Sequence, residues 1–408
     1  MNFTVAILGL AFLILIHEAG HFFTALAVKM RPRKFYVGFP PALVKTRRRG
    51  VEYGLGLIPL GGYVKIPGMH RPAPSDADVY FGAAQYEAPD LVGPVERLKR
   101  ALDIGNHDEA RLALEDVTQA LEHAKLTAGA QRSAQRGLTE IGDALSPEAY
   151  WRQRTWKRIA VIFAGPGTNL VFAVVLLTVV YMLGAAVDAT RKVDKVNPGT
   201  PAAAIGLRPG DEIIAINRMP VRKYTEMSRA IRGSHGHPIL LSVLRKGRER
   251  DLGPTPTKKI QGHWALGFSV RLEYRRYEPL RAAALASEDV GRATKVIATS
   301  LVHLTRKSER KQISSPVGIV DVSSQAAHTD YRTYLAILAL LSLSLALLNL
   351  LPLLPLDGGH IAFSIIEGIR GRAVGRAVYE RVSAVGIALV LLLFVVGLSN
   401  DIGRIRGG

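Results

Sequence analysis

Four apolar runs of membrane-spanning length constrain this chain more than any other feature. They occupy residues 3–28, 159–186, 334–356 and 383–399. A helix rising about 1.5 Å per residue crosses a hydrocarbon core of about 30 Å with roughly twenty residues, and only helices or closed barrels satisfy every backbone polar group in lipid. The stretches between the runs are polar and basic. The expected architecture is therefore a polytopic α-helical membrane protein of about four transmembrane helices, with a membrane-associated β-hairpin and a small β-rich domain. A secretory leader is the competing reading of the first run, because Ala25-Leu26-Ala27 imitates a small-residue cleavage site. Two features oppose it: the opening Met1-Asn2-Phe3 has no Lys or Arg, and His17, Glu18 and His21 interrupt the apolar segment.

The formal net charge of +19 raises nucleic acid as a partner. The basic residues, however, scatter over every polar segment and flank the apolar runs, with no aromatic-interleaved patch. That pattern fits charge facing an anionic lipid bilayer, and no nucleic-acid partner is expected. Basic residues close to the span ends (Lys29, Arg31, Arg33 and Lys34; Arg152, Arg154, Lys157 and Arg158; Arg370, Arg372, Arg376 and Arg381) mark those loops as cytoplasmic. Both termini and residues 187–333 then lie outside, which corresponds to a multi-pass protein of the inner (plasma) membrane. With no cysteine in the chain, thiol nucleophiles, disulfides and Cys-ligated zinc are excluded.

Between the spans, residues 35–66 hold two β-type runs around an Arg-Arg-Arg-Gly turn, which predicts a hairpin. Its apolar character beside a membrane helix implies that it packs on the helices or pairs with another strand, since an open edge cannot face lipid. Residues 71–150 turn charged and Ala-rich. Leu114, Val117, Leu121 and Ala124, then Leu138, Ile141 and Leu145, recur at helical spacing and predict a soluble helical hairpin. Residues 188–272 read as a β-rich module, with short runs at 213–216, 239–244 and 265–270 separated by turn signals. Residues 273–333 are polar and partly helical.

The chemistry centres on His17-Glu18-Ala19-Gly20-His21. On a helix, positions i and i+4 share a face, so both imidazoles can reach one Zn²⁺ with Glu18 alongside as catalytic base. Five residues are a weak pattern alone, but ionisable groups at membrane depth are costly unless functional. Two His and a Glu that merely hydrogen-bond between helices are the bland alternative. A catalytic zinc usually has three protein ligands. Asp357 is the best third, because Pro352, Pro355, Gly358 and Gly359 must break the helix there, and broken backbone at membrane depth has to line a cavity or pack within protein. His360 ranks below it.

These blocks, together with VEYGLGLIPLGGYVKIPG at 51–68, FAGPGTN at 163–169, AAAIGLRPGDEIIAINRMPV at 202–221, SPVGI at 315–319, LLNLLPLLPLDGGH at 347–360 and Asn400-Asp401, resemble the site-2 protease family of intramembrane zinc metalloproteases, in its bacterial PDZ-containing branch. The resemblance implies one Zn²⁺ held by His17, His21 and Asp357, with Glu18 activating water. It also implies Asn169 and Asn349 beside the substrate, and Gly61, Gly62 and Tyr63 holding it extended. The implied substrates are single-span transmembrane proteins, of the anti-sigma-factor or remnant-signal-peptide type, in regulated intramembrane proteolysis. The implied PDZ-like domain would be extracytoplasmic and open to a peptide or protein ligand, unless its groove is plugged. One departure is that the second proline sits one place later than the family pattern, as Pro352-Leu-Leu-Pro355.

The expected domains are a first transmembrane helix (1–30), the membrane-associated β-hairpin region (31–70), a cytoplasmic helical insertion (71–157), a second transmembrane helix (158–187), the PDZ-like domain (188–272), an extracytoplasmic linker with helices (273–333), a third transmembrane helix with the Leu-Asp-Gly string (334–360) and a fourth with the tail (361–408). Two rivals remain. A non-catalytic scaffold binding envelope proteins through the PDZ module would not need Glu18 or Asp357. A transporter would be expected to show internal repeats, and the spans contain none.

Overall fold

A computed structural model describes residues 2–260, 263–302 and 330–406. The Ser-Pro-Val-Gly-Ile string expected at 315–319 lies outside the described residues. The chain divides into two compact units, residues 1–177 with 286–408, and residues 178–285.

In the first unit, α1 (Asn2–Ala27), α6 (Thr155–Gly184), α10 (Tyr331–Asn349) and α12 (Arg376–Arg406) are helices long and apolar enough to cross a membrane. Their outward side chains are apolar: Leu8, Phe12 and Phe23 on α1, and Leu391, Leu392 and Val395 on α12, are all exposed. Helices that are hydrophobic all round suit a lipid surround. Where α1 meets α6, a Cβ on Gly20 would collide with the Ala164 carbonyl, and one on Gly165 would strike the His21 ring. Small residues thus let the two backbones approach closely, as is usual for helices packed in membranes.

The third apolar run does not continue to Asp357 as one helix. α10 stops at Asn349, residues 350–356 turn back tightly, and α11 (Asp357–Arg370) starts at the aspartate itself. A Cβ on Gly358 would collide with the backbone of Leu350 and Leu351, so this turn requires glycine.

The expected hairpin is more elaborate than a two-stranded ribbon. β1 (Lys34–Arg48) and β2 (Val51–Lys65) each bend, and residues 34–37 pair on one side with 52–55 and on the other with 62–65. Residues 42–48 pair with the outer flank of 51–56. The result is a small sheet whose edge strand, residues 62–65, lies against α1.

Residues 71–150 form four helices rather than a helical hairpin: α2 (Pro74–Glu87), α3 (Val92–Asp103), α4 (His107–His123) and α5 (Ala128–Leu145). α2 escapes periodicity analysis because it buries small residues, Ala77 and Ala84, around one Phe81, and opens on a Pro-rich stretch that reads as loop; α3 does carry an apolar stripe, Val95, Leu98 and Leu102, that the helical-hairpin reading passed over. Pro74 is in fact the first helical residue, where a missing N–H costs nothing. Phe81, Leu91, Val95, Leu98, Val117, Ile141 and Leu145 form one buried core, so the amphipathic stripes serve packing within the insertion.

In the second unit, β3 (Ala185–Val196), α7 (Pro201–Ala204), β4 (Glu212–Ile216), β5 (Met219–Pro220), α8 (Tyr224–Arg232), β6 (Pro238–Arg245), β7 (Arg248–Pro256) and β10 (Phe268–Arg275) surround a core containing Val193, Ile213, Met227, Leu241 and Val243. The sheet order is β10-β3-β4-β6-β7, with β5 against β4, and a separate pair of β8 (Lys258–Ile260) and β9 (His263–Ala265). Buried Asp211 accepts two hydrogen bonds from Arg245, both 2.7 Å, and one from the Arg208 N–H at 2.8 Å. Beyond it, α9 (Pro279–Val302) returns the chain to the first unit.

Candidate active site

α1 presents His17 and His21 one turn apart, both buried. The start of α11 brings Asp357 to them: its Oδ2 lies 3.1 Å from His17 Nε2 and 3.4 Å from His21 Nε2, while the two Nε2 atoms are 3.2 Å apart. Among the described residues these three are the one such group able to hold a metal ion. His360 points elsewhere, pairing through Nδ1 with the Tyr379 hydroxyl at 2.8 Å.

The triangle of donors tests whether zinc fits. Tetrahedral zinc with ligands at about 2.0–2.1 Å separates neighbouring ligand atoms by about 3.3 Å, which is the spacing found. The protonation pattern agrees. His21 Nδ1–H donates to the Val161 carbonyl at 2.8 Å, so in the neutral ring the Nε2 lone pair is free and faces the triangle. Asp357 also sits in the first turn of α11, where the helix dipole favours a carboxylate anion.

Asn169 is fully buried on α6 with its amide 3.4 Å from His17 Nδ1, and its Oδ1 has no partner among the described residues. Amide nitrogen and oxygen are interchangeable by a flip. Turned over, Oδ1 accepts from His17 Nδ1–H and leaves Nε2 of that ring free for metal as well. Ser342 on α10 donates to the Asn169 carbonyl at 2.8 Å and so helps hold the residue that meets His17. Sequence reasoning did not find this support from Asn169, Val161 and Ser342. A buried amide has no spacing signature, and only the α1–α6 packing brings it to the imidazole.

Glu18 is half-buried on the same helix face. The edge strand meets it: a Cβ on Gly62 would lie 3.1 Å from Glu18 Cγ, and the Val64 backbone amide is directed at its carboxylate. Tyr63 stacks on Tyr36 with ring centroids 5.2 Å apart, and Tyr36 donates to Glu52 at 2.7 Å. Gly61, Gly62 and Tyr63 thus lie along the strand that meets Glu18 at Gly62. Asn349, the last residue of α10, donates to its own helix at the Leu345 carbonyl, 3.1 Å away.

Comparison with known proteins gives the family. The chain is 30% identical to the zinc metalloprotease RasP of Geobacillus kaustophilus, over 96% of this chain and 95% of that protein. It is 28% identical to the regulator of sigma-W protease RasP of Bacillus subtilis, over 96% of each. The sequence model of peptidase family M50 matches residues 5–393, nearly the whole length with the His-Glu-x-x-His helix and the Asp357 turn inside it. This membrane protein is therefore a zinc metalloprotease of peptidase family M50, the site-2 protease family.

Proposed function

We propose that the protein hydrolyses peptide bonds in or near the transmembrane segments of single-span membrane proteins. His17, His21 and Asp357 hold the zinc and Glu18 is the catalytic base. The observation that carries this reading is the donor triangle flanked by Glu18 and by the edge strand at residues 62–65. Zinc in such a site acts as a Lewis acid and brings bound water to a pKa of about 7. Glu18 takes the proton from the attacking water and returns it to the leaving amine. A substrate helix hides its carbonyls in its own hydrogen bonds, so it must unwind first, and pairing with the strand carrying Gly61, Gly62 and Tyr63 offsets part of that cost. Asn349, at the lip of the turn before Asp357, binds the same extended peptide.

The Bacillus subtilis relative is named as a regulator of sigma-W, which favours an anti-sigma factor over a remnant signal peptide as the substrate type. We read residues 188–272, within the unit 178–285, as the extracytoplasmic PDZ-like domain of a plasma-membrane protein. Among the described residues β10 ends the sheet order and has one edge available for an added peptide strand.

The test uses purified protein in lipid. It should hold one zinc per chain and cut a model single-span peptide; Glu18→Gln should keep the metal and lose cleavage, and His17→Ala should lose both. Zinc-free protein with uncut substrate would leave the scaffold reading in its place. A proline placed at Val64 should block cleavage of an intact transmembrane substrate, and unchanged cleavage would remove the strand from the mechanism.

A further inference from the structure

The helical insertion touches the sheet through one face of α5. Glu140 and Asp143, one turn apart, reach two residues at the root of the strands: Lys65 Nζ lies 2.6 Å from Glu140 Oε1, and Arg33 Nε lies 2.8 Å from Asp143 Oδ1. Farther along, Arg31 pairs with Glu148 at 3.2 Å, but the Arg31 side chain is 74% exposed and contributes little. The inner pairs differ in kind. The Asp143 side chain is 11% exposed, and among the described residues its second oxygen has no partner and Arg33 is its one countercharge. Removing one member of such a pair leaves a buried charge uncompensated.

Arg33 is also a backbone node. Its N–H donates to the Lys65 carbonyl at 2.7 Å and its carbonyl accepts from the Glu52 N–H at 2.9 Å, so it joins the two strands on either side of residues 34–37. Lys65 closes the short edge strand whose other end, Gly62, lies on Glu18. Three residues of extended chain cover about 10 Å. A shift at the root therefore moves the strand over the catalytic base.

We infer that α5 of the insertion is a strap that sets the position of the edge strand, with Asp143 and Glu140, through Arg33 and Lys65, as positioning residues for the unwound substrate. The inference rests on the strand-pairing reading of substrate binding. It gives the insertion a task in the reaction beyond its own core, and makes α5 a point where an event on the polar side of the membrane alters cleavage within it.

The test is made on the full chain in lipid. Asp143→Asn should raise amide hydrogen exchange across residues 61–66 by about tenfold, within the range by which such coupling residues act, while exchange in residues 17–21 and zinc content stay as in the parent. Cleavage of a transmembrane substrate should weaken through KM by a similar factor, with kcat less affected. The charge swap Arg33→Asp with Asp143→Arg should restore both readouts. Lys65→Gln and Glu140→Gln probe the second pair should the first variant fold poorly. If the variants leave exchange at 61–66 unchanged, or lower only the unfolding temperature, or if the swap restores neither readout, the strap is refuted. Amide exchange needs no substrate, so a failure of the protease reading, seen as a zinc-free and inactive parent, stays distinct from a failure of this one.

Discussion

Replacing Asn169 by Ala separates two roles for that side chain, orienting a metal ligand or touching the substrate. The amide lies 3.4 Å from His17 Nδ1, is fully buried, and its Oδ1 has no other partner among the described residues. Its backbone carbonyl keeps the Ser342 hydrogen bond in the variant, so the local helix contact survives. What is lost is the acceptor that holds the proton on Nδ1 of His17 and so directs the Nε2 lone pair at the other two donors. Outer partners of this kind are worth about 10–100-fold in metal affinity, or roughly 1.4–2.7 kcal/mol. Competition with a zinc-buffering chelator, followed by metal analysis of the purified protein, should show a loss of that size in Asn169→Ala. Asn169→Asp, which keeps an acceptor on Nδ1, should lose less. Zinc affinity unchanged in Asn169→Ala, together with a raised KM, would refute the orienting role and place the amide on the substrate.

Glu18→Gln keeps the side-chain shape without the base, so peptide hydrolysis should fall by at least about 10²–10⁴-fold, with zinc retained; full activity by mass-spectrometric detection of the cut peptide would exclude Glu18 as the base. Gly20→Leu drives a side chain into the Ala164 carbonyl and should destabilise α1–α6 packing by about 1–3 kcal/mol or more, read as a lower unfolding temperature with loss of zinc, because α6 carries the Val161 and Asn169 partners. Burial pushes the Asp211 carboxyl up, but the Arg245 guanidinium and the Arg208 N–H outweigh it and hold the group below the usual carboxylate range. A depressed folded value means that this stabilisation is complete above about pH 4, the unfolded value, and is lost as the pH falls through the folded one. Asp211→Asn should therefore lower the stability of residues 178–285 at neutral pH and flatten its decline in acid, as amide exchange can follow; a decline as steep as in the parent would show that other groups govern it.

The two halves of the candidate metal site differ in how far they can be read from residue order. His17 and His21 announce themselves because one helix supplies both and the helical period joins them. Asp357 required an argument about broken backbone, and the break proved to be a separate helix beginning at that residue, with Gly358 pressed on the preceding turn. The hairpin was legible as β-structure, but the double pairing of residues 34–37 was not, because it depends on a bend near Gly38 and on register rather than composition. In the insertion, Leu114, Val117 and Ile141 gave α4 and α5, whereas α2 with its buried alanines carries no apolar rhythm to detect. The ion pairs of α5 with Arg33 and Lys65 were out of reach for another reason. Charged residues abound here, and only the folded chain selects which of them meet.

The insertion's two connections to the membrane part are side by side: the Tyr150 N–H donates to the Pro67 carbonyl at 2.9 Å and the Trp151 N–H to that of Gly68 at 3.1 Å. For the rest of the fold, everything from Met69 to Ala149 is topologically a two-rung turn. The entropy of closing a long loop grows only slowly with length, and here a self-contained core absorbs that cost. α2 to α5 precede the next apolar helix in the chain, and their shared core of Phe81, Leu91, Val95, Leu98, Val117, Ile141 and Leu145 needs nothing from it. Once folded, they leave the start of α6 beside the end of α1, where Lys157 Nζ donates to the Val28 carbonyl at 3.3 Å, so the helix carrying Val161 and Asn169 begins next to the helix that carries His17 and His21.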